Sequence, residues 1–545
     1  MTALLRSQSF NLSFNLKRIK KVFQLSLRLK QAFQAHRERP ALWVKNVTYT
    51  YEQLEGRASQ LARSLQQLEK PNALLLVGKS FDGYASILAC TLSKITYIPL
   101  NNTFPVEKIA SIIRTSGCST LLVDEESIDL LEYLLPLCDR KLKIIRSYDL
   151  SMDIHKDEIF KIGSRRCERT SVSNEQKFDN LQSSYVYLMF TSGSTGLPKG
   201  VPVNEQNLLN YLDGITSLYN FDHLDRHSQF FDFTFDLSVH DIFVCWTTGG
   251  CLYAATEFDK LLPTKFVNTH KLTVWFSTPS MVTFAKQAMG ERFQFEKMPT
   301  LKHSLFCGEA LTDSVVDDWS CLAENSTLDN LYGPTEATIA FTLFRVNRDD
   351  EEAHPIVPIG KPFGQNRCVI LNDELLPVEF GEVGQLYLTG PQVVDGYWTD
   401  SDKTNQVFIE WSPCNDSVVQ RLYKTGDLAS SDSNGVIYFH GRIDHQVKLR
   451  GYRVEIQEIE SLIRRFTGSD RIVVVPYPYG EKVCTGLTLC HNELGLSSQD
   501  LVELCRSALP TYMVPDTIAF LDNLPINSSG KLDRRAITEL LKVNE

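Results

Sequence analysis

From about residue 40 to 340, short apolar β-rich runs alternate with amphipathic stretches of helical period, and that alternation leaves few architectures open. Ala73-Leu-Leu-Leu-Val77, Thr120-Leu-Leu-Val123, Leu142-Lys-Ile-Ile145 and Thr273-Val-Trp-Phe276 read as buried strands. Ser59 to Leu68 and Asn204 to Tyr219 read as helices. The pattern predicts an α/β fold of layered subdomains with mostly parallel sheets. Between 355 and 443 the text turns to strands and turns, with Val369-Ile-Leu371, Gln385-Leu-Tyr-Leu388 and Gly435-Val-Ile-Tyr-Phe439, which predicts a small β-barrel or sheet. After Gly441-Arg-Ile-Asp-His445 a compact α+β segment runs to the end. The expected division is a large unit over 1–443 and a smaller one over 444–545.

A length of 545 residues with 43% hydrophobic content fills more than one core. The net charge of −10 argues against a dedicated nucleic-acid binder. No run of eighteen apolar residues appears, so no membrane span is expected. Thirteen cysteines without a CxxC pair fit free thiols in a reducing, cytoplasmic setting better than disulfides or a zinc site. The first 37 residues hold no Asp or Glu, but carry Arg6, Lys17, Arg18, Lys20, Lys21, Arg28, Lys30 and Arg37. Val22, Phe23, Leu25, Leu27, Leu29 and Phe33 recur between them at roughly helical spacing. An amphipathic helix lying on the main domain is the expectation, with an organelle transit peptide as the alternative.

One loop points to chemistry. The run Tyr185-Val-Tyr-Leu-Met-Phe190 opens into Thr191-Ser-Gly-Ser-Thr-Gly-Leu-Pro-Lys-Gly200. Glycines let backbone N–H groups approach an anion, while Thr191, Ser192, Ser194 and Thr195 add hydroxyl donors and Lys199 a positive charge. No Gly-Lys-Ser/Thr closes the run, so it is not a Walker A loop, and Gly193, Gly196 and Gly200 are spaced wrongly for a dinucleotide fingerprint. A flexible surface loop is the bland alternative.

Four further motifs follow in order: Tyr332-Gly-Pro-Thr-Glu336, Tyr423-Lys-Thr-Gly-Asp427, Gly441-Arg-Ile-Asp-His-Gln-Val-Lys-Leu-Arg-Gly451 and Asn527-Ser-Ser-Gly-Lys-Leu-Asp533. Together with the loop they make the chain, from about Trp43 to Arg535, resemble the adenylate-forming superfamily. Within it the chain is similar to the amino-acid adenylation enzymes of nonribosomal peptide synthesis and to D-alanyl carrier protein ligases. Such enzymes join a carboxylate to the α-phosphate of ATP and expel pyrophosphate. Two anions must be brought together, so neutralising charge and aligning the attack are the catalytic tasks. The resemblance implies Lys531 as the cation bridging substrate carboxylate and α-phosphate. It implies Thr335 at the α-phosphate, Glu336 as the Mg²⁺ ligand, Tyr332 against adenine, Asp427 on the ribose hydroxyls and Arg442 near ribose and phosphates. Thr191, Ser192, Thr195 and Lys199 would steady the β- and γ-phosphates. It also implies a second half-reaction, transfer of the acyl group to a phosphopantetheine thiol, for which a mobile C-terminal domain turns about Asp444. That rotation would withdraw Lys531 and bring Lys448 to Gly451 to the site, Gly451 leaving room for the pantetheine arm.

In Phe235-Asp-Leu-Ser238 the resemblance gives Asp236 the α-ammonium of an amino acid; a helix-capping Asp is the alternative. By the same match Leu237, His240, Phe276, Leu305, Cys307, Leu331, Ile339 and Ala340 line the side-chain pocket. Mostly bulky and apolar, they leave room for a small, uncharged side chain. His240 also reads as a core histidine. Cys307 and Ser277-Thr-Pro-Ser280 match the D-alanyl ligases, while Phe276, Leu305 and Leu331 look more like stand-alone prolyl-carrier-protein ligases. The expected substrate is L-proline first and D-alanine second, with an acyl-CoA synthetase as the rival activity. The family's Gly-Gly before the Tyr-x-Pro-Leu segment is Lys94-Ile95-Thr96 here, and the Asp after it is Asn101. Only Leu532 to Glu545 follow Lys531, with no carrier attachment motif, so the expected carrier is a separate protein.

Overall fold

The computed structural model describes residues 24–66, 68, 70–148, 185–192, 198–347, 355–412, 419–444, 446–480, 483–492, 496–526 and 532–543. Two large sheets and a smaller one make up the N-terminal part. A nine-stranded sheet runs, in spatial order, through Lys361–Pro362, Thr342–Arg345, Thr327–Tyr332, His303–Phe306, Val274–Ser277, Arg226–Gln229, Cys251–Ala254, Pro40–Val44 and Val47–Thr50. Its interior pairs are parallel and both ends are antiparallel. A six-stranded sheet runs Lys143–Arg146, Thr120–Val123, Asn72–Leu76, Thr96–Leu100, Tyr185–Thr191, Lys199–Asn204, parallel except for its last pair. The expected barrel or sheet is a five-stranded antiparallel sheet that includes Arg367–Leu371, Gly384–Thr389 and Gln420–Ser431. The α/β reading therefore holds, and strand positions shift by a residue or two.

Helix boundaries follow caps. The helix expected over Ser59 to Leu68 runs Tyr51–Leu65, because Thr50 accepts from the Gln53 N–H and Gln53 reaches back to close a capping box. Asn204 caps Glu205–Thr216 in the same way. The helix Phe81–Ser93 ends on Lys94, which takes φ 57° and ψ 43° where the family places glycine. The left-handed turn is kept, at a cost of about 1–2 kcal/mol for a residue with a Cβ. Asn101 takes over local capping, accepting from the Thr103 N–H and hydroxyl, both at 2.7 Å.

At the chain start, Gln24–Ala35 is a helix that buries Leu25, Leu29 and Phe33 and leaves Leu27 exposed. The Phe33 ring lies 4.7 Å from that of Tyr51 and 6.0 Å from that of Trp246, both edge-on. Arg28 pairs with Asp213 at 2.7 Å. For this stretch the amphipathic reading holds; Arg6, Lys17, Arg18, Lys20, Lys21, Val22 and Phe23 lie outside the described residues.

The smaller C-terminal part holds a hairpin (Gln446–Leu449 with Tyr452–Glu455), a three-stranded sheet (Ile472–Tyr477, Gly486–His491, Thr517–Phe520) and three helices, Ile456–Thr467, Ser498–Ala508 and Arg534–Val543. Leu449, Val454, Ile459, Ile463, Leu487 and Leu501 form a core of their own there. No described helix is long and apolar enough to cross a membrane.

Candidate active site

The chemistry-bearing residues gather at one end of the parallel strands. In open α/β sheets the carboxyl ends of the strands leave a crevice where ligands settle. Val274–Ser277 ends beside Thr278, His303–Phe306 ends at Cys307, Thr327–Tyr332 ends at Tyr332, and Tyr185–Thr191 ends at Thr191. Cys307, Tyr332 and Thr191 border one cleft, closed from the other side by hairpin residues between Gln446 and Arg453.

Glu336 sits on the short turn Thr335–Ala337 and is 0% exposed. Burial alone would raise its pKa, but the Arg453 guanidinium and the Lys199 ammonium outweigh it and hold the carboxyl down at about 2. Arg453 Nη1 lies 3.1 and 3.0 Å from its two oxygens, and the Tyr397 hydroxyl donates to Oε1 at 2.6 Å. A dry, ionised carboxylate is the ligand type that a hard divalent metal takes, although no group of three or more His, Cys, Asp or Glu gathers to hold one among the described residues. Lys199, also buried, is lowered to about 8 by desolvation and by Arg453, with Glu336 and Glu455 pulling the other way. Its ammonium stands 3.4 Å from Glu455 and over the Tyr397 ring. Ser192 Oγ donates to the Arg453 carbonyl at 2.5 Å, and the buried Thr191 hydroxyl has no partner among the described residues.

Asp427 is buried on the neighbouring wall. The Tyr332 hydroxyl donates to one oxygen, and Arg442 Nη1 reaches the other at 2.5 Å. Arg442 also grips Asp444 through two bonds of 2.7 and 2.8 Å. The Lys448 ammonium lies 5.1 Å over the Tyr332 ring, on a face expected for adenine. Gly451, at φ 83°, donates its N–H to Glu309 Oε1 at 2.6 Å, while the Ser280 N–H supplies Oε2 at 3.0 Å. A Cβ on Gly451 would stand 2.6 Å from Thr278 Cγ2, so the close approach requires glycine.

Asp236 opens the helix Asp236–Thr248 with no side-chain cap bond at Phe235, and is 8% exposed. Burial raises its carboxyl to about 7, against the bond from Thr335. Oδ2 has no hydrogen-bond partner among the described residues, yet the residue borders the cleft. A buried carboxylate oxygen without a donor calls for one. Leu237 and Cys307 border the cleft beside it. Phe276, Leu305, Leu331, Ile339 and Ala340 are buried in the same apolar core, behind that front rank rather than on the cleft surface. His240 Nδ1 bonds the Tyr211 hydroxyl at 2.6 Å, its ring sits 4.3 Å from Phe276, and burial lowers its pKa to about 3. It is a neutral core histidine with one nitrogen, Nε2, left over.

Of the sequence candidates, Thr195 and Lys531 lie outside the described residues. Arg453, Glu455, Glu309 and Tyr397 escaped sequence reasoning. Arg453 and Glu455 stand two and four places past the quoted motif ending at Gly451, and no local pattern marks them.

Comparison with known proteins matches residues 29–398 to "AMP-binding enzyme" and 458–531 to "AMP-binding enzyme C-terminal domain". A D-alanine--D-alanyl carrier protein ligase of Bacillus licheniformis is 30% identical over 513 residues, 91% of this chain and 95% of that protein. A linear gramicidin synthase polypeptide of Brevibacillus parabrevis is 31% identical over 520 residues, 93% of this chain but 6% of that protein. The chain thus spans a small fraction of the gramicidin synthases it matches. The crystal structure of the Vibrio cholerae adenylation domain AlmE, in complex with glycyl-adenosine-5'-phosphate, superposes with a TM-score of 0.80 at 30% identity, covering 95% of this chain and 98% of that one.

Proposed function

The chain belongs to the AMP-binding enzyme family, and on that footing we propose that it activates a small amino acid with ATP and passes it to the phosphopantetheine thiol of a carrier protein. The observation that carries this reading is the buried Asp236 oxygen without a donor, in the same cleft as Thr335, Asp427 and Thr191. An α-ammonium would supply that donor, and a fatty or aryl acid would leave it bare.

In the first step an amino-acid carboxylate oxygen bonds to the α-phosphorus of ATP, and the bond to the β-phosphate oxygen breaks, releasing pyrophosphate. Asp236 would hold the ammonium, Thr191, Ser192 and Lys199 the terminal phosphates, and Asp427 the ribose. Glu336 would hold Mg²⁺, which supplies charge neutralisation on the phosphates when bound. Lys531 would bridge the two reacting anions. In the second step the thiol sulfur attacks the acyl carbon, AMP leaves, and the thiol proton passes to solvent. Residues 1–443 would form the adenylation core and 444–545 the lid turning at Asp444. The docking of Gly451 against Thr278 and Glu309 supports the view that this structure represents the second step, with Gly451 beside the thiol path.

The packed core residues behind Leu237 and Cys307 favour a small side chain, glycine or D-alanine ahead of L-proline. Proline needs room for three methylenes that only repacking of Phe276 or Leu305 would open. The glycyl complex of AlmE and the D-alanyl ligases agree with that choice. ATP–pyrophosphate exchange across glycine, D-alanine, L-proline and fatty and aryl acids tests it. Exchange with glycine or D-alanine supports the proposal. Exchange with L-proline alone refutes the size argument, and exchange only with acids lacking an amine refutes the amino-acid reading.

A further inference from the structure

A second cavity, of about 460 Å³, lies at the opposite end of the six-stranded sheet from the cleft. The strands Asn72–Leu76, Thr96–Leu100 and Tyr185–Thr191 all begin at its wall. The last of them runs on to the cleft about 20 Å away. Ligand pockets commonly hold about 300 Å³ or more, so the space admits a small molecule. Ile98, Leu188 and Trp398 make the lining apolar, and the Tyr185 ring meets the Trp398 ring edge-on at 6.0 Å. Two polar features break that lining. Asn72 Oδ1 is shielded from solvent and has no hydrogen-bond partner among the described residues. Lys70 is exposed at the rim, its ammonium 3.4 Å from the Gly117 carbonyl, beyond the usual hydrogen-bond range.

Each feature calls for a different part of one ligand. A shielded acceptor without a donor is costly, and an incoming N–H or O–H recovers that cost. Aromatic and aliphatic walls suit a flat ring. An exposed ammonium suits a carboxylate. We propose that this cavity is an effector site for a small aromatic carboxylate whose ring bears an N–H or O–H, and that Trp398 passes its occupancy to the catalytic cleft. Trp398 Nε1 donates to the Ser116 carbonyl at 3.2 Å, where the helix Val106–Ser116 ends. Its backbone N–H donates to the Gly200 carbonyl at 2.8 Å, one residue beyond Lys199. A Cβ on Gly200 would stand 2.9 Å from Trp398 Cβ, so the two segments are packed hard together. On its other side Trp398 follows Tyr397, whose hydroxyl donates to Glu336 at 2.6 Å. A ring seated against the indole therefore holds Trp398 where it supports both Gly200 and Tyr397. On the proposed function, Lys199 and Glu336 receive the triphosphate and its metal, so occupancy of the cavity favours nucleotide binding. Such coupling runs equally in both directions.

The test rests on binding rather than turnover. Indole-3-acetate, which carries the N–H, the ring and the carboxylate, is titrated calorimetrically into the whole chain without nucleotide. 1-Naphthaleneacetate lacks the N–H and 3-methylindole lacks the carboxylate, so each should bind about tenfold more weakly. Asn72→Leu should erase the advantage of indole-3-acetate over 1-naphthaleneacetate, and Lys70→Met its advantage over 3-methylindole. Thr115→Phe, at a wall position, fills the cavity and should abolish binding of all three. Saturating indole-3-acetate should tighten binding of magnesium with the non-hydrolysable analogue AMPPCP about fivefold, and saturating Mg·AMPPCP should tighten indole-3-acetate by the same factor. The three-probe series uses wild type alone, so it stands even where a variant fails to fold. No binding of indole-3-acetate, or binding that folded Thr115→Phe leaves intact, overturns the site. Equal affinity for the three probes overturns the ligand class, and binding that leaves Mg·AMPPCP affinity unchanged overturns the coupling. A wild-type chain that binds indole-3-acetate but no Mg·AMPPCP overturns the functional reading and leaves the cavity assignment standing.

Discussion

Asp236→Asn removes a charge that the empty protein holds at a loss. The folded carboxyl is raised by burial from 3.8 to about 7. It keeps its proton to a higher pH than the unfolded chain does, so stability falls as pH rises from 3.8 to about 7 and is level above that. At about 1.4 kcal/mol per pH unit, the full penalty is about 4 kcal/mol, of which about 3 kcal/mol accrues between pH 5 and pH 8. An amide of the same shape has no such dependence. In urea unfolding of the ligand-free protein, the variant should therefore gain about 3 kcal/mol on wild type between pH 5 and pH 8. The same substitution should abolish amino-acid-dependent ATP–pyrophosphate exchange, because the amide lacks the charge that answers an ammonium. In wild type, amino-acid affinity should fall about tenfold per pH unit below 7, where the carboxyl must first lose its proton. A stability difference that stays flat across pH would refute the account of Asp236 as an unpaired buried carboxyl. Retained exchange with normal amino-acid affinity would refute its assignment to the ammonium.

Lys531→Ala should cut adenylate formation by orders of magnitude while sparing thiol transfer from a preformed aminoacyl-adenylate; an equal fall in both rates, measured separately, would remove the case for a rotating lid. Gly451→Ala places a methyl 2.6 Å from Thr278 Cγ2 at a φ of 83°, so it should slow thiol transfer at least about tenfold and exchange far less, as single-turnover assays of each step would show. Phe33→Ala empties the contact between the first helix and the Tyr51 and Trp246 rings. It should cost about 3–5 kcal/mol in chemical denaturation, and a cost under about 1 kcal/mol would mean that the helix is only loosely seated.

The sequence makes the chemistry legible wherever one residue type has one use. Glu336, Asp427, Tyr332, Arg442 and Asp236 all stand out in it, and the fold brings Asp427, Tyr332, Arg442 and Asp236 to one cleft, with Glu336 buried beside it on the turn Thr335–Ala337. The layered α/β pattern is legible for a related reason, since buried strands must be apolar whatever they pair with. Helix starts are misplaced where a cap such as Thr50 outranks the apolar period. The partners of the site residues stay hidden. Arg453 meets Glu336 across 117 positions of chain and Gly451 meets Glu309 across 142, and contacts made by docking one unit on another leave no local periodicity. Pocket size is half legible, since composition gives apolar walls but not which of them stand in front.

The wall around Asp236 is continuous with the main core, with Leu237, Phe276, Leu305, Cys307 and Leu331 all in one packed cluster. A descendant that takes a bulkier substrate cannot simply trim one of these side chains, because each truncation hollows the protein before any ligand refills it. Acceptance of larger amino acids must then evolve through paired exchanges, one residue shrinking as its neighbour grows. Lineages of this architecture should show strong epistasis among these positions, and single-site libraries should yield far fewer altered specificities than two-site ones.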